Sequence, residues 1–409
     1  MSWEKKSVLI TGISGFVGSY LAEELLKRGA NVYGIIRRRA DGSKPKNLIE
    51  RGICEDVTLL EGDLQDIASL ANALDTAKPD AVFHLAAQSF VARSFQAPIE
   101  TEQYNCVGTA NLLEAIRVKN YDPVVVFAGS SEEYGLVVFS EMQYEQLKKK
   151  YHTIFPEPVS IPEVPIAETN PLRPMSPYAV SKIYGDFLMR DYYHSFGIKT
   201  VVSRAFNHEG AGRGPVFVTS EITRQVMRLR FGEADRLVIG DVSSFRDWSH
   251  VKDIVNGYLL LAEKGSHGDV YNQGSMRMNS VLSYILLSLE EAGWKVYAVE
   301  TLNGEKRIEN PTDISNAPFF GVSFEKTRVD EMLLSGELSY SLADRGLIVY
   351  TDKGEITIDF DEKRFRPSDV PVLMADTSKI KKLGFDVKYT VRDIIRDQLN
   401  YYLSAENRA

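Results

Sequence analysis

The sequence predicts an α/β fold: a Rossmann-type, doubly wound parallel sheet with a smaller C-terminal substrate-binding domain. Three observations predict it. Short apolar runs alternate with segments of helical period through about residue 205. Gly12, Gly15 and Gly18 stand at i, i+3 and i+6 between the first apolar run and the first helical segment. The last third is more mixed, with a hairpin signal at Asp352-Lys353-Gly354 between Leu347–Tyr350 and Ile356–Phe360.

The elements follow in order. Val8-Leu9-Ile10 is a short buried strand. Phe16, Val17, Tyr20, Leu21, Leu25 and Leu26 recur at helical spacing, and Gly29 ends that helix. Asn31–Ile36 is the second strand, Leu59–Asp63 the end of a third, Ala81–Ala86 a fourth and Val124–Ala128 a fifth, with helical stretches at Ile67–Leu74 and Thr101–Val118. Such alternation implies parallel strands covered on both faces. From Gly135 to about Pro171 the rhythm breaks: Lys148-Lys149-Lys150 and five prolines mark an excursion, with a short helix expected at Glu141–Lys150. A helix returns over Tyr178–Phe196, then a strand over Lys199–Arg204. The expected division is a dinucleotide-binding domain over 1–205, with the excursion at about 136–170. A mostly substrate-binding domain over 206–409 returns segments to the sheet.

Composition excludes several classes. Of 409 residues, 44% are hydrophobic and 25% charged, as in soluble globular proteins. A net charge of −8 gives no general attraction to nucleic acid or anionic membranes. The two cysteines, Cys54 and Cys106, are too few for a disulfide framework or a zinc cluster. With no signal-peptide pattern and no long apolar span, the expected location is the cytoplasm. The histidines show no metal-ligand spacing, and no metal is expected.

In a loop spaced like Gly12–Gly18, the first glycine permits a tight turn and the second lets backbone approach a pyrophosphate. The third packs helix on sheet, and the helix N-terminus attracts the phosphates. An acid at the end of the second strand would hold the ribose 2′-hydroxyl of NAD; here Arg37-Arg38-Arg39 stands instead. Arginine there accommodates a 2′-phosphate, so Arg37 and Arg38 predict NADP. Asp63 and Leu64 are placed to reach the adenine edge.

Tyr178 and Lys182 lie one helical turn apart on one face. An ammonium beside a phenol lowers the phenol pKa and makes a base suited to a sugar hydroxyl. Tyr144 and Lys148 share the spacing, but in the charged excursion and without a companion motif. The fifth strand runs into Ser130-Ser131-Glu132-Glu133-Tyr134-Gly135, where a hydroxyl can bond the oxygen that Tyr178 deprotonates. One of the paired glutamates can serve as acid and base for a C–H and a leaving hydroxyl; the bland alternative is an exposed turn with solvated acids.

The glycine triplet, HLAAQS (His84–Ser89), SSEEYG and YAVSK together resemble the extended short-chain dehydrogenase/reductases that act on nucleotide sugars. FNHEGAGRG (Phe206–Gly214), FRDWSHVKD (Phe245–Asp253) and FRPSDVPVLMADTSKIKKLGF (Phe365–Phe385) resemble the GDP-mannose 4,6-dehydratases most closely. The resemblance implies Ser130, Glu132, Tyr178 and Lys182 as catalytic residues, with Glu132 removing the C5 proton and helping expel the C6 hydroxyl. It implies a cofactor site of Gly12, Ser14, Gly15, Phe16, Gly18, Arg37, Arg38, Asp63, Leu64, Leu85, Ala86, Ala87 and Ser89, with Tyr178, Lys182, His208 and Arg213. Asn207, Arg246 and Arg366 would hold the substrate, the arginines on its diphosphate. Structurally, Arg246 can instead pair Asp247 or Asp253.

The implied function is a nucleotide-diphosphate-sugar 4,6-dehydratase with tightly bound NADP, acting on a GDP-linked sugar as a homodimer or tetramer through the helices at 101–118 and 178–196. The rivals are a 4-epimerase or uronic-acid decarboxylase on the same scaffold, and a non-catalytic NADP-binding regulator. Three features depart from the family pattern: the excursion between Ser130 and Tyr178, a long region over about 304–361, and Glu100 where the dehydratases carry a cofactor-contacting tyrosine.

Overall fold

The apolar runs of the sequence become the strands of a central layer. The computed structural model describes residues 2–365 and 370–408. Among these, the strands of three or more residues are β1 (Ser7–Thr11), β2 (Asn31–Ile36), β3 (Thr58–Glu61), β4 (Ala81–His84), β5 (Val124–Ala128), β6 (Thr200–Ala205), β7 (Arg236–Ile239), β8 (Asp269–Gln273), β9 (Val296–Thr301), β10 (Arg307–Glu309), β11 (Gly346–Thr351) and β12 (Gly354–Phe360). The helices longer than ten residues are α1 (Phe16–Lys27), α2 (Ile67–Ala77), α3 (Gly108–Val118), α4 (Glu141–Tyr151), α5 (Pro177–Phe196), α6 (Val218–Arg230), α7 (Val251–Lys264), α8 (Val281–Glu291) and α9 (Val391–Tyr401).

Seven strands pair in the order β8-β6-β5-β4-β1-β2-β3, every pair parallel. The strand order reverses between β1 and β4, and an open α/β sheet binds ligands at the strand ends beside such a switch point. One face of the sheet packs on α1 and α7 through Leu21, Leu25, Ile254 and Leu261. The other packs on α2, α3 and α5 through Leu70, Leu74, Leu112, Ile116 and Met189. Each such fully buried aliphatic side chain stabilises the fold by roughly 1.5–3 kcal/mol.

Helix α5 is fixed by local chemistry at its start. Ser176 caps it by accepting the Ala179 amide at 3.0 Å, with Pro177 in the first helical position. Gly185 lets it lie close on β5: a Cβ there would come within 2.3 Å of the Phe127 ring.

A second sheet, ordered β10-β9-β11-β12-β7, carries the expected hairpin as β11 and β12 around Asp352-Lys353. It shares a core with α6, α8 and α9, built on Leu237, Leu286, Val299, Leu347 and Ile394. The excursion leaves and returns at one place. The Leu136 amide donates to the Arg173 carbonyl at 2.9 Å, and the Arg173 amide to the Tyr134 carbonyl at 3.2 Å. The buried Arg173 guanidinium grips Glu163 through two nitrogens at 2.8 and 2.7 Å. Its helix α4 forms where the sequence predicts one. Phe139 meets Phe320 edge-on, so the excursion and the 304–361 region pack on each other in a core of Val137, Val164, Ile166 and Phe324.

Several elements differ in detail from their sequence reading, and two of the differences bear on the site. β4 ends at His84, and Leu85 and Ala86 already belong to the following loop. The Thr101–Val118 segment is not one regular helix, because Gln103–Val107 forms a π-helical turn. That turn presents Asn105, which donates to Gln88 O at 3.0 Å and Ser181 Oγ at 2.9 Å and accepts the Gln88 amide at 2.8 Å. Buried side-chain bonding is what offsets the irregular turn. No helix among the described residues is long and apolar enough to cross a membrane.

Candidate active site

At the C-terminal ends of the parallel strands lies a cleft of about 1780 Å3. Its floor is the glycine turn after β1. Gly12 adopts φ +76°, and a Cβ on it would come within 2.8 Å of the Ala86 amide nitrogen. A Cβ on Gly18 would strike the Gly12 carbonyl oxygen at 2.2 Å, so the third glycine seats the helix on the turn. No side chain caps α1 and no acid occupies its first turn. Its free amides and positive dipole end therefore face the cleft, a chemistry that fits a pyrophosphate.

The cleft gathers the expected cofactor residues Gly12, Ser14, Gly15, Phe16, Gly18, Arg37, Asp63, Leu64, Leu85, Ala86, Ala87, Ser89, His208 and Arg213. Arg38 is absent from that lining; with Arg37, Arg39 and Ser14 it surrounds a neighbouring hollow of about 330 Å3. Arg37 reaches Tyr104 across the cleft, Nη1 to Oη 3.3 Å. The arginine-lined hollow beside the glycine turn fits a phosphate on the adenosine ribose.

Arg213 stacks on Phe217, its guanidinium carbon 3.6 Å from the ring centroid, and lies 5.3 Å from that of Phe16. His208 turns Nδ1 to the Phe206 carbonyl at 2.8 Å; burial, then the charge of Arg213, pulls its pKa down to about 4, so it stays neutral.

Ser130, Glu132, Tyr178 and Lys182 line the same cleft. Ser130 continues β5 in extended backbone and caps a single 3₁₀ turn, Ser131–Glu133, by accepting the Glu132 amide at 3.2 Å. The two glutamates separate: Glu132 is half-buried and faces the cleft, whereas Glu133 is fully buried. The exposed-turn alternative therefore fails for Glu133.

The phenol of Tyr178 is buried, and burial raises its pKa to about 12, opposed by a hydrogen bond with the Ser130 side chain and the charge of Arg213. This corrects the sequence expectation, in which Lys182 lowers the phenol. Lys182 Nζ lies 5.9 Å from the Tyr178 ring centroid and donates to the Ala128 carbonyl at 2.7 Å. Burial depresses its own pKa to about 8.

The cleft lining also includes Asn207 and Arg246. Asn207 Oδ1 is buried with no partner among the described residues, an acceptor open to a ligand donor. Arg246 Nη1 donates to the Phe245 and Val370 carbonyls at 2.9 and 2.6 Å. Asp247 and Asp253 have other duties. Asp247 accepts the amides of Ser275, Met276 and Ala375, and Asp253 those of Lys388 and Tyr389. Arg366 lies outside the described residues. Sequence reasoning missed Arg224, Lys363 and Arg364, which also line the cleft. The only signal for the last two was their position just before Phe365.

A glycine-turn dinucleotide cleft lined also by Ser130, Tyr178 and Lys182 defines an enzyme of the dinucleotide-dependent α/β class. Two family profiles match the chain: "NAD dependent epimerase/dehydratase family" over residues 8–274 and "GDP-mannose 4,6 dehydratase" over 160–398. GDP-mannose 4,6-dehydratase of Yersinia enterocolitica is 31% identical over 401 residues, covering 96% of this chain and 93% of its own length. That of Vibrio cholerae serotype O1 is 32% identical over 402 residues, covering 97% and 93%. The chain belongs to the NAD dependent epimerase/dehydratase family, in its GDP-mannose 4,6 dehydratase branch.

Solved structures agree on the fold. RMD from Pseudomonas aeruginosa complexed with NADPH superposes with a TM-score of 0.65 at 24% identity, covering 97% of this chain and 99% of that one. UDP-glucose 4-epimerase from Bifidobacterium longum gives 0.68 at 21%, covering 98% and 99%.

Proposed function

We propose that this chain is a nucleotide-diphosphate-sugar 4,6-dehydratase, converting a GDP-mannose-like substrate to a 4-keto-6-deoxy sugar with tightly bound NADP. One observation carries the reading: Glu132 shares a cleft with Ser130 and Tyr178 and with the glycine turn of the dinucleotide floor. The relatives named GDP-mannose 4,6-dehydratases support it along nearly the whole chain.

The uncapped α1 amides and Gly15 would hold the pyrophosphate, Arg37 and Arg38 the 2′-phosphate, and Asn207, Arg246 and Arg366 the substrate. NADP held there would supply a hydride acceptor for C4 and a hydride donor for C6, and the positive charge of its oxidised form would favour the Tyr178 phenolate. Tyr178 Oη takes the C4 hydroxyl proton while Ser130 hydrogen-bonds the same oxygen. The ketone so formed acidifies C5–H; Glu132 removes that proton and delivers it to the C6 hydroxyl, which leaves as water, and C5 regains a proton from solvent when C6 is reduced. A 4-epimerase needs no acid at Glu132.

The division of labour we propose is cofactor binding by residues 1–205 and mostly substrate binding by 206–409. For assembly we propose a homodimer. Ile99, Val107, Val180, Tyr184 and Phe187, on the segment before α3 and on α5, are exposed apolar side chains suited to pairing with a second copy.

The test is mass spectrometry of reactions with GDP-, UDP-, CDP- and dTDP-sugars. The expected product is a nucleotide sugar lighter by one water and carrying a carbonyl at C4. An isomer of unchanged mass, or loss of carbon dioxide from a uronic acid, would replace this reading with epimerase or decarboxylase.

A further inference from the structure

Behind the cleft, Glu133 is 0% exposed and sits in a group of buried charges that the proposed chemistry does not use. Its Oε1 accepts the Ser130 amide at 2.8 Å. Its Oε2 meets Arg204 Nε at 3.1 Å, and the same nitrogen meets Asp186 Oδ2 at 2.9 Å. Arg204 Nη1 reaches Tyr134 Oη at 3.1 Å and the Glu168 carbonyl at 3.2 Å. Asp186 lies one turn beyond Lys182 on α5, and its other oxygen pairs with Arg190 at 2.6 Å. A glycine makes room for the carboxyl: a Cβ on Gly129 would stand 2.7 Å from Glu133 Oε1 and 2.9 Å from the Ser203 carbonyl.

We propose that Glu133 is a positioning residue: its carboxyl holds the Ser130 amide and, through Arg204 and Asp186, locks the Ser130–Glu132 turn to the helix bearing Tyr178 and Lys182. The proposal rests on the roles given above to those four residues. Its logic is geometric. Ser130 and Glu132 sit on a turn after β5, and Tyr178 and Lys182 on a helix that the chain reaches only after the excursion. Lys182 already ties α5 to Ala128. Glu133 supplies the tie two residues further on, where the reacting groups stand. Arg204, on β6, bridges the two. Burial, then the nearby Asp186, raises the Glu133 pKa, and either protonation state keeps an acceptor oxygen on the Ser130 amide. A misplacement of about 1 Å in reacting groups can cost about a hundredfold in rate.

The full chain is compared with three variants. Glu133→Leu removes the acceptor. Glu133→Asp keeps the charge but withdraws the oxygen from the amide. Glu133→Gln keeps an amide-accepting oxygen in place. In Glu133→Leu, kcat should fall about a hundredfold, and in Glu133→Asp about tenfold, with KM and NADP affinity within about threefold of native. Glu133→Gln should recover most of the native kcat. Hydrogen exchange of the peptide around Ser130 should quicken about tenfold or more in the Leu and Asp variants but not in Gln, a readout independent of any substrate.

If Glu133→Leu does not fold, Glu133→Asp and Glu133→Gln carry the test. Native exchange and kcat in folded Glu133→Asp, or equal losses in Asp and Gln, would overturn the proposal. A native product other than the 4-keto-6-deoxy sugar would overturn the dehydratase reading alone, since exchange around Ser130 is read without turnover.

Discussion

Lys182 Nζ donates to the Ala128 carbonyl oxygen at 2.7 Å, so the end of β5, and not the phenol one turn back, fixes the ammonium. Its charge acts on the cleft from a buried place. Burial holds its pKa at about 8, against about 10.5 in the unfolded chain. Below pH 8 the ammonium is present in both states, and the folded state bears the full cost of burying it. That cost is relieved as pH rises from 8 to 10.5. Activity should therefore fall above about pH 8 as the charge is lost. Lys182→Met should lose that alkaline limb together with most of its kcat, while its Tm at pH 7 equals or exceeds the native value. Rate–pH profiles and thermal unfolding check both; an alkaline limb surviving in Lys182→Met assigns it to another group.

Cofactor choice should follow Arg37. It lines both the cleft and the arginine hollow, and no acid stands at the end of β2 to take a ribose hydroxyl pair. A hydrogen bond to a charged group contributes about 1.5–3 kcal/mol. Arg37→Asp should then weaken NADP binding by roughly ten- to a hundredfold and leave NAD binding unchanged or improved. Fluorescence titration with each reduced cofactor measures the ratio, and a variant that still prefers NADP by the native margin removes Arg37 from the site.

Glu132 should be separable from its neighbours by product and by step. Glu132→Gln keeps the side-chain shape and should bind NADP and nucleotide sugar with native affinity. Loss of a general base costs about a hundred- to ten-thousandfold, so 4-keto-6-deoxy product should be nearly absent. Because Tyr178 and Ser130 are untouched, the C4 oxidation half should continue, seen as cofactor absorbance that rises on mixing with substrate and decays slowly. Native turnover in Glu132→Gln would remove the acid from the mechanism.

How much of this could be read from the residues depended on range. β5 falls on Val124–Ala128, the run read from the sequence, because a strand buried on both faces announces itself by unbroken apolar content. The Gly12 loop, Tyr178 and Lys182 were visible because their chemistry needs fixed local spacing. What escaped was set by contacts between distant segments. The π-helical turn at Asn105 exists for Gln88 and Ser181, and nothing within Gln103–Val107 foretells either partner. Lys182 was expected to act on the phenol, but desolvation, which no spacing reports, dominates both groups. The residue types of the paired glutamates did not tell them apart, because the partner of Glu133, Arg204, stands 71 residues on.

The excursion should be the weak point if its buried ion pair is halved. Arg173 is 4% exposed and Glu163 7%. Glu163 Oε2 also accepts the Val138 amide at 2.8 Å, and Arg173 Nη1 donates to the Leu136 carbonyl at 2.7 Å, so the pair holds both arms of the loop. Removing one partner strands a charge in a low-dielectric interior at a cost of about 3–5 kcal/mol, whereas replacing both with apolar groups is often neutral. Arg173→Met should lower stability by that amount, and Glu163→Leu with Arg173→Met should recover much of it, read as unfolding midpoints in urea. The cleft lining includes no residue from 136 to 170, so the folded double variant should keep native NADP affinity. A single Arg173→Met as stable as the native chain would show that the pair does not hold the loop.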